Sequence, residues 1–275
     1  MSSVALPIVL VFAGTVLVVM LAIELGHRLG LVMHRRGYED KDSPISTISA
    51  AILGLSGFLL AFTFAIVADR YDARKALVRD DANAIRTAWK RSDFLPEQDR
   101  GEAVALLREY VDLRVNFATA QTLEPERVQA SLADAERIQD ALWDMAVVNA
   151  RKDMNSDVAA LYVDSLNEVG AIHALRVAVG IQLRVPLEVW LVLYFVTLLG
   201  MLSVGYQTGV AGSKRSMARP IVGFSFAVSF ALVFALIAAL DRPDSGILGV
   251  TQQPLIDLYD SMVCLLYTSP SPRDS

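Results

Sequence analysis

Ile45 to Trp89 reads ISTISAAILGLSGFLLAFTFAIVADRYDARKALVRDDANAIRTAW. No charge appears before Asp69, charge then recurs on nearly every turn, and neither proline nor glycine interrupts the run after Gly57. A hydrocarbon core about 30 Å thick needs roughly 20 apolar residues in helical form. The stretch therefore predicts one helix that crosses a membrane from Ile45 to Ala68 and projects beyond it to Lys90.

Three further stretches have the same apolar length. They are Val4 to Ile23, Val185 to Tyr206, broken only by Glu188, and Ile221 to Leu240. The first reads as a span rather than a signal peptide, because its apolar run is long and no Lys or Arg precedes it. The expected architecture is an all-α integral membrane protein of four transmembrane helices.

Composition narrows the function classes. The 275 residues are 54% hydrophobic, and the apolar excess is concentrated in these runs, which excludes a purely soluble enzyme. A net charge of −5 offers no basic field for nucleic acid. One cysteine excludes an internal disulfide or a cysteine-cluster metal site, and three scattered histidines suggest no other metal centre.

Asp69 to Arg184 differs in character. It carries 16 Lys and Arg against 20 Asp and Glu, with Pro96 and Pro125 its only prolines. Such a stretch reads as a helical extramembrane domain inserted between the second and third spans. Pro96 suits the start of a helix to about Thr119, with Leu106, Leu107, Tyr110, Leu113 and Arg114 at helical spacing. Pro125 suits the start of another to about Lys152, carrying Val128, Leu132, Ile138, Leu142 and Met145. Asn155 or Ser156 caps a third, which carries Val158, Leu161, Tyr162, Leu166, Val169 and Ile172. These stripes read as packing surface.

The chain thus divides into spans one and two (1–68), the helical domain (69–184), spans three and four with a short C-terminal segment (185–263), and a tail (264–275). Cys264 to Asp274 resembles a translated sequencing-library adapter. The tail is read as non-native and set aside from fold reasoning.

The positive-inside rule gives a weak orientation. Arg28, Arg35, Arg36 and Lys41 after span one, and Lys214, Arg215 and Arg219 before span four, favour cytoplasmic loops and an outer helical domain. Arg70, Arg74, Lys75, Arg79, Arg86 and Lys90, near the end of span two, oppose that placement.

No catalytic constellation stands out. Gly54-Leu-Ser-Gly57 lacks the spacing of a nucleophile elbow, and Gly212-Ser-Lys214 is too short for a phosphate loop. Ala50 with Gly54, and Gly57 with Ala61, have the four-residue spacing that permits close helix contact. His27 and His34 are expected on a basic loop, and Asp80 and Asp81 on different, solvated sides of a helix. Glu188 is a candidate intramembrane acid facing a bundle interior or water, or else a first-turn acid favoured by the helix dipole. Phe58, Phe62 and Ile66, four residues apart, form one face of span two. That face either forms a hydrophobic ring that gates by dewetting, or packs against lipid or core.

The run Gly57 to Trp89, with Asn83-Ala-Ile-Arg-Thr-Ala-Trp89, then Leu95-Pro96 and Leu107-Arg-Glu-Tyr-Val111, resembles the bacterial bestrophin-like family of membrane proteins of unknown function. The ending Asp241-Arg-Pro, Gly246 and Gln253-Pro254-Leu255 continues the resemblance. A more distant likeness links that family to bestrophins, pentameric anion channels with a helical cytosolic part between the second and third spans. That likeness implies the opposite orientation to the short-loop charges. It implies that Phe58 and Phe62 stand at neck positions and Arg70-Tyr71 at the Arg-aromatic pair that follows. Gly54 occupies a position where a bulky neck residue is expected, so the implied constriction is shorter. No counterpart of the animal calcium-binding acidic cluster is present, so calcium gating is not implied.

The leading expectation is a homo-oligomeric anion channel in the cell (inner) membrane, not an enzyme. Its pore constriction candidates are Phe58, Phe62 and Ile66, and its vestibule candidates are Arg70, Tyr71 and Arg74. The expected partners are membrane lipid, further copies of the chain and an inorganic anion. No cofactor, metal or nucleic acid is expected. The alternative is a non-conducting membrane scaffold or sensor whose helical domain binds a protein partner.

Overall fold

The computed structural model describes residues 6–36, 45–119, 125–179, 184–211, 218–241 and 249–268. Eight α-helices are present among them, in the order α1 (Leu6–Arg35), α2 (Ile45–Arg91), α3 (Glu97–Thr119), α4 (Pro125–Ala150), α5 (Asp157–Val177), α6 (Leu187–Val210), α7 (Ala218–Asp241) and α8 (Gln253–Thr268). No strand occurs among the described residues. The chain divides into two compact units, Met1–Tyr71 with Arg184–Gly249, and Asp72–Leu183 with Val250–Ser275.

The first unit contains four helices long and apolar enough to cross a membrane, with mean hydropathies between 2.0 and 2.7 over their most apolar stretches. Helices in lipid gain little from apolar burial against one another, so they associate through close packing and hydrogen bonds. Glycine supplies the close packing here. Gly26 and Gly30 on α1 face Gly205 and Gly209 on α6, and a Cβ at any of the four collides with backbone of the opposite helix. Hydroxyls supply the bonds. Thr15 Oγ1 lies 2.7 Å from Tyr194 Oη, and Ser56 Oγ lies 2.7 Å from Thr197 Oγ1. The Tyr194 ring stacks on Phe234 of α7 at 4.2 Å between centroids. Asp241, at the end of α7, accepts the Val185 N–H at 3.0 Å just before α6 begins.

Two sequence expectations change in this unit. Within the chain, the close helix contact does not involve the α2 glycines. A Cβ at Gly54 or Gly57 meets nothing within 4 Å. Nor do His27 and His34 sit on a loop, because α1 continues to Arg35. His27 is buried against α6, its Nδ1 3.2 Å from Thr208 Oγ1. The helix persists because Glu24 to Arg35 contains no proline and its two glycines are packed rather than exposed. The loop residues Lys41, Lys214 and Arg215, the Gly212–Lys214 stretch, Gly246 and the tail beyond Thr268 lie outside the described residues.

The second unit packs the C-terminal part of α2 with α3, α4, α5 and α8. A 3-10 turn at Ser92–Phe94 ends α2. The Pro96 carbonyl then accepts the N–H groups of Asp99 and Arg100, so α3 starts at the proline as expected. Ser156 caps α5 by accepting the Ala159 N–H at 3.2 Å. The core contains Ile85, Leu107, Tyr110, Ile138, Leu142 and Val169. Leu255, Leu258 and Met262 of α8 belong to the same core. From the expected α5 stripe, Tyr162, Leu166 and Val169 are buried, whereas Val158 and Leu161 are exposed.

Candidate functional site

The candidates begin with the register of α2. Ser49, Ser56, Leu60, Thr63 and Val67 form its buried stripe. The hydroxyls in that stripe are satisfied locally or across to α6. Ser49 and Thr63 donate to carbonyls four residues back at 2.8 Å, and Ser56 pairs with Thr197. At about 100° per residue, Phe58 and Phe62 fall on the opposite side of the helix. They are 65% and 60% exposed, and their rings stack with centroids 6.3 Å apart. Ala51, Gly54, Ala61 and Ala65 flank them and are also exposed.

This open face differs in composition from the exposed faces of α1 and α6. There the exposed large residues include Leu10, Leu17, Leu21 and Leu25 on α1, and Leu191 and Phe195 on α6. Such faces suit lipid. The α2 face also exposes Ile48 and Leu55, and among these and the phenylalanines it carries more residues small enough to let another backbone come close, Ala51, Gly54, Ala61 and Ala65.

The remaining candidates are placed as follows. Ile66 is 39% exposed, one turn beyond Phe62. A four-residue step rotates by about 40°, so the stripe drifts round the helix and Arg74 stands far from the Phe58 side. Arg70 is half-buried, and its Nη1 is buried without a hydrogen-bond partner among the described residues. Tyr71 packs on the cluster of Leu60, Val67, Leu193 and Phe234. Arg74 donates from Nε and Nη2 to the Val179 carbonyl at 3.4 and 3.3 Å. Glu188 is exposed in the first turn of α6. The structure thus brings Phe58 and Phe62 into contact and engages Tyr71 and Arg74 in packing elsewhere.

A second polar cluster lies in the helical unit, where solvated acids were expected. Asp80 is exposed, but Asp81 is fully buried. Asp81 Oδ2 accepts from Arg176 Nη1 of α5 and lies 3.6 Å from Arg114 Nε of α3. Two cations drawn from distant sequence make burial of this carboxylate tolerable. Arg176 Nη2 also donates to Gln252 Oε1 at 3.2 Å. The Arg114 guanidinium lies 5.1 Å from the centroid of the Tyr110 ring. Tyr110 Oη accepts from Gln139 Nε2 at 2.9 Å and lies 3.1 Å from His173 Nδ1. Burial, reinforced by Arg114 and Arg176, pulls His173 down to about 4, and Asp81 opposes the shift. Burial also raises the Tyr110 phenol. Arg114 was legible only as part of an apolar stripe, and nothing in the local pattern paired it with Asp81. Among the described residues, no group of three or more His, Cys, Asp or Glu is placed to hold a metal.

No curated protein matches the sequence. Solved structures do share the fold. A bacterial bestrophin homolog from Klebsiella pneumoniae aligns over 96% of this chain and 100% of its own, with 18% identity and a TM-score of 0.65. A mutant of a bestrophin homolog from the same organism aligns over 94% and 99%, with 18% identity and a TM-score of 0.63. A variant described only as a membrane protein aligns over 97% and 100%, with 18% identity and a TM-score of 0.66. At that identity the likeness concerns the fold. Membership rests on the sequence itself, because a bestrophin-like domain matches residues 10–255, and the chain therefore belongs to the bestrophin-like family.

Proposed function

We propose that this membrane protein is a homo-oligomeric anion channel of the cell (inner) membrane, with α2 nearest the axis. The observation that carries the reading is the open α2 face, where Phe58 and Phe62 project opposite the buried stripe among Ala51, Gly54, Ala61 and Ala65. Small residues let copies approach, and the stacked phenylalanines narrow what remains. A ring of such side chains excludes water until it widens, which is gating by dewetting. Ile66 extends the constriction and Arg70 follows as a vestibule residue, whereas Tyr71 and Arg74, which pack away from the Phe58 side, are left out of the path. The likeness to bestrophins supports the same assignment, and no enzymatic role is proposed.

The reading is tested with cysteine chemistry. Cys264 is the single cysteine, so Cys264→Ser gives a cysteine-free background. Phe62→Cys in that background is expected to form disulfide-linked copies when an oxidant is added, and a bulky thiol reagent added to the reduced protein should lower chloride efflux from liposomes. Modification that leaves an active efflux untouched removes Phe62 from the ion path.

A second reading has its own observation. Phe94 and Val158 are exposed at a cleft of about 230 Å³ in the helical unit, which also involves Pro96, Asn149 and Lys152. Such a surface suits a non-conducting scaffold or sensor that binds a protein partner. Intact oligomers without efflux, together with a partner lost on Phe94→Asp, would favour it.

A further inference from the structure

We infer that the Tyr110–His173 contact is an acid-released latch, which holds α5 against α3 and against the Asp81 carboxylate on α2. Tyr110 is fully buried and His173 is 7% exposed. Gln139 Nε2 donates to Tyr110 Oη, which leaves the phenol hydrogen for His173 Nδ1. The imidazole must then be neutral at Nδ1, with its own proton on Nε2. Protonation puts an N–H where the acceptor was. The phenol hydrogen must turn away, and no exposed surface on Tyr110 lets water receive it.

The charges around His173 act in the same direction. Tyr110 and Arg114 face it from α3, Asp81 from α2, and Arg176 from its own helix. Gln139 of α4 and Gln252 beside α8 reach the cluster with uncharged amides. A protonated His173 makes three cations around one carboxylate. The depressed affinity of His173 for a proton, down to about 4, agrees with that geometry. Relief comes from moving α5 away from α3, which also withdraws Arg176 from Asp81. The latch stands on the helical unit alone. Its bearing on conduction rests on the channel reading, because Asp81 sits on the helix assigned to the axis.

Hydrogen exchange on the purified full chain tests the latch without any flux measurement. After correction for intrinsic rates, α5 amides from Val169 to Arg176 are expected to exchange about tenfold faster near pH 4 than at pH 7, with α1 unchanged. His173→Asn keeps an acceptor for Tyr110 and cannot take up the proton, so it should abolish the acceleration. No acceleration in the wild type, or an equal one in His173→Asn, overturns the proposal. If His173→Asn does not fold, the wild type still decides by histidine NMR, since the chain has three histidines. One signal should titrate well below pH 6 and move in Tyr110→Phe. The absence of such a signal also overturns the latch.

Discussion

Replacing Asp81 by alanine removes the carboxylate that lies between Arg114 and Arg176 and leaves two guanidinium groups largely buried. Breaking a buried pair from one side costs about 3–5 kcal/mol. Asp81→Ala is therefore expected to destabilise the helical unit by that order in denaturant unfolding, whereas Asp80→Ala should have almost no effect. Equal effects would place Asp81 in solvent. The pH dependence has a definite sign. His173 binds its proton more weakly folded than unfolded, so its contribution is complete above the ordinary value of 6.5 and is lost as pH falls toward about 4. A thermal melt at pH 7 and at pH 4.5, with and without His173→Asn, measures it, and the wild type is expected to lose more stability than the variant over that range. At this scale the sequence was partly legible. Ser156 as a cap and Pro96 as a helix start follow from local chemistry. Asp81 was not legible, because its partners lie 33 and 95 residues further along, where no local spacing links them to it.

The α1–α6 crossing sets what each glycine tolerates. A Cβ at Gly205 meets the Ile23 carbonyl, so Gly205→Ala forces the two helices apart and is expected to cost about 1–3 kcal/mol of stability in the membrane unit. Gly101 in α3 meets nothing within 4 Å, and Gly101→Ala should stabilise the helical unit by about 0.5–1 kcal/mol through helix propensity. Melting curves of the two variants that shift in the same direction would contradict the packing described here. Both residues are simply glycine in the sequence, and only the facing backbone separates them. The four spans and the long α2 were legible because length and hydropathy are properties of one element alone. The α8 helix was not announced, although Leu255, Leu258, Tyr259 and Met262 have helical spacing. The segment is short, and its role appears only when Leu258 and Met262 are seen in the core of α2, α3, α4 and α5. Leu258→Ala is expected to cost about 2–5 kcal/mol, which a denaturant midpoint would register.

At the scale of the whole molecule, the surface of α2 carries the functional argument. Every span shows apolar side chains to its surroundings, so exposure by itself means only lipid. On α2, Ala51, Gly54, Ala61 and Ala65 surround two stacked phenylalanines, with Leu55 and Ile48 beside them, opposite a stripe already used for packing. The spacing of Phe58 and Phe62 was legible in the sequence. Their position opposite the buried stripe was not, because it depends on where α6 and α7 meet α2. In the proposed channel these two rings form the constriction of a homo-oligomeric anion path. The most direct measurement of that role is chloride efflux from liposomes holding the wild type or the Phe58→Ala/Phe62→Ala double variant, at equal reconstituted amounts of folded protein. The double variant is expected to show a higher rate or an altered anion selectivity. Measurable efflux that is identical in rate and selectivity for the two proteins would contradict that role.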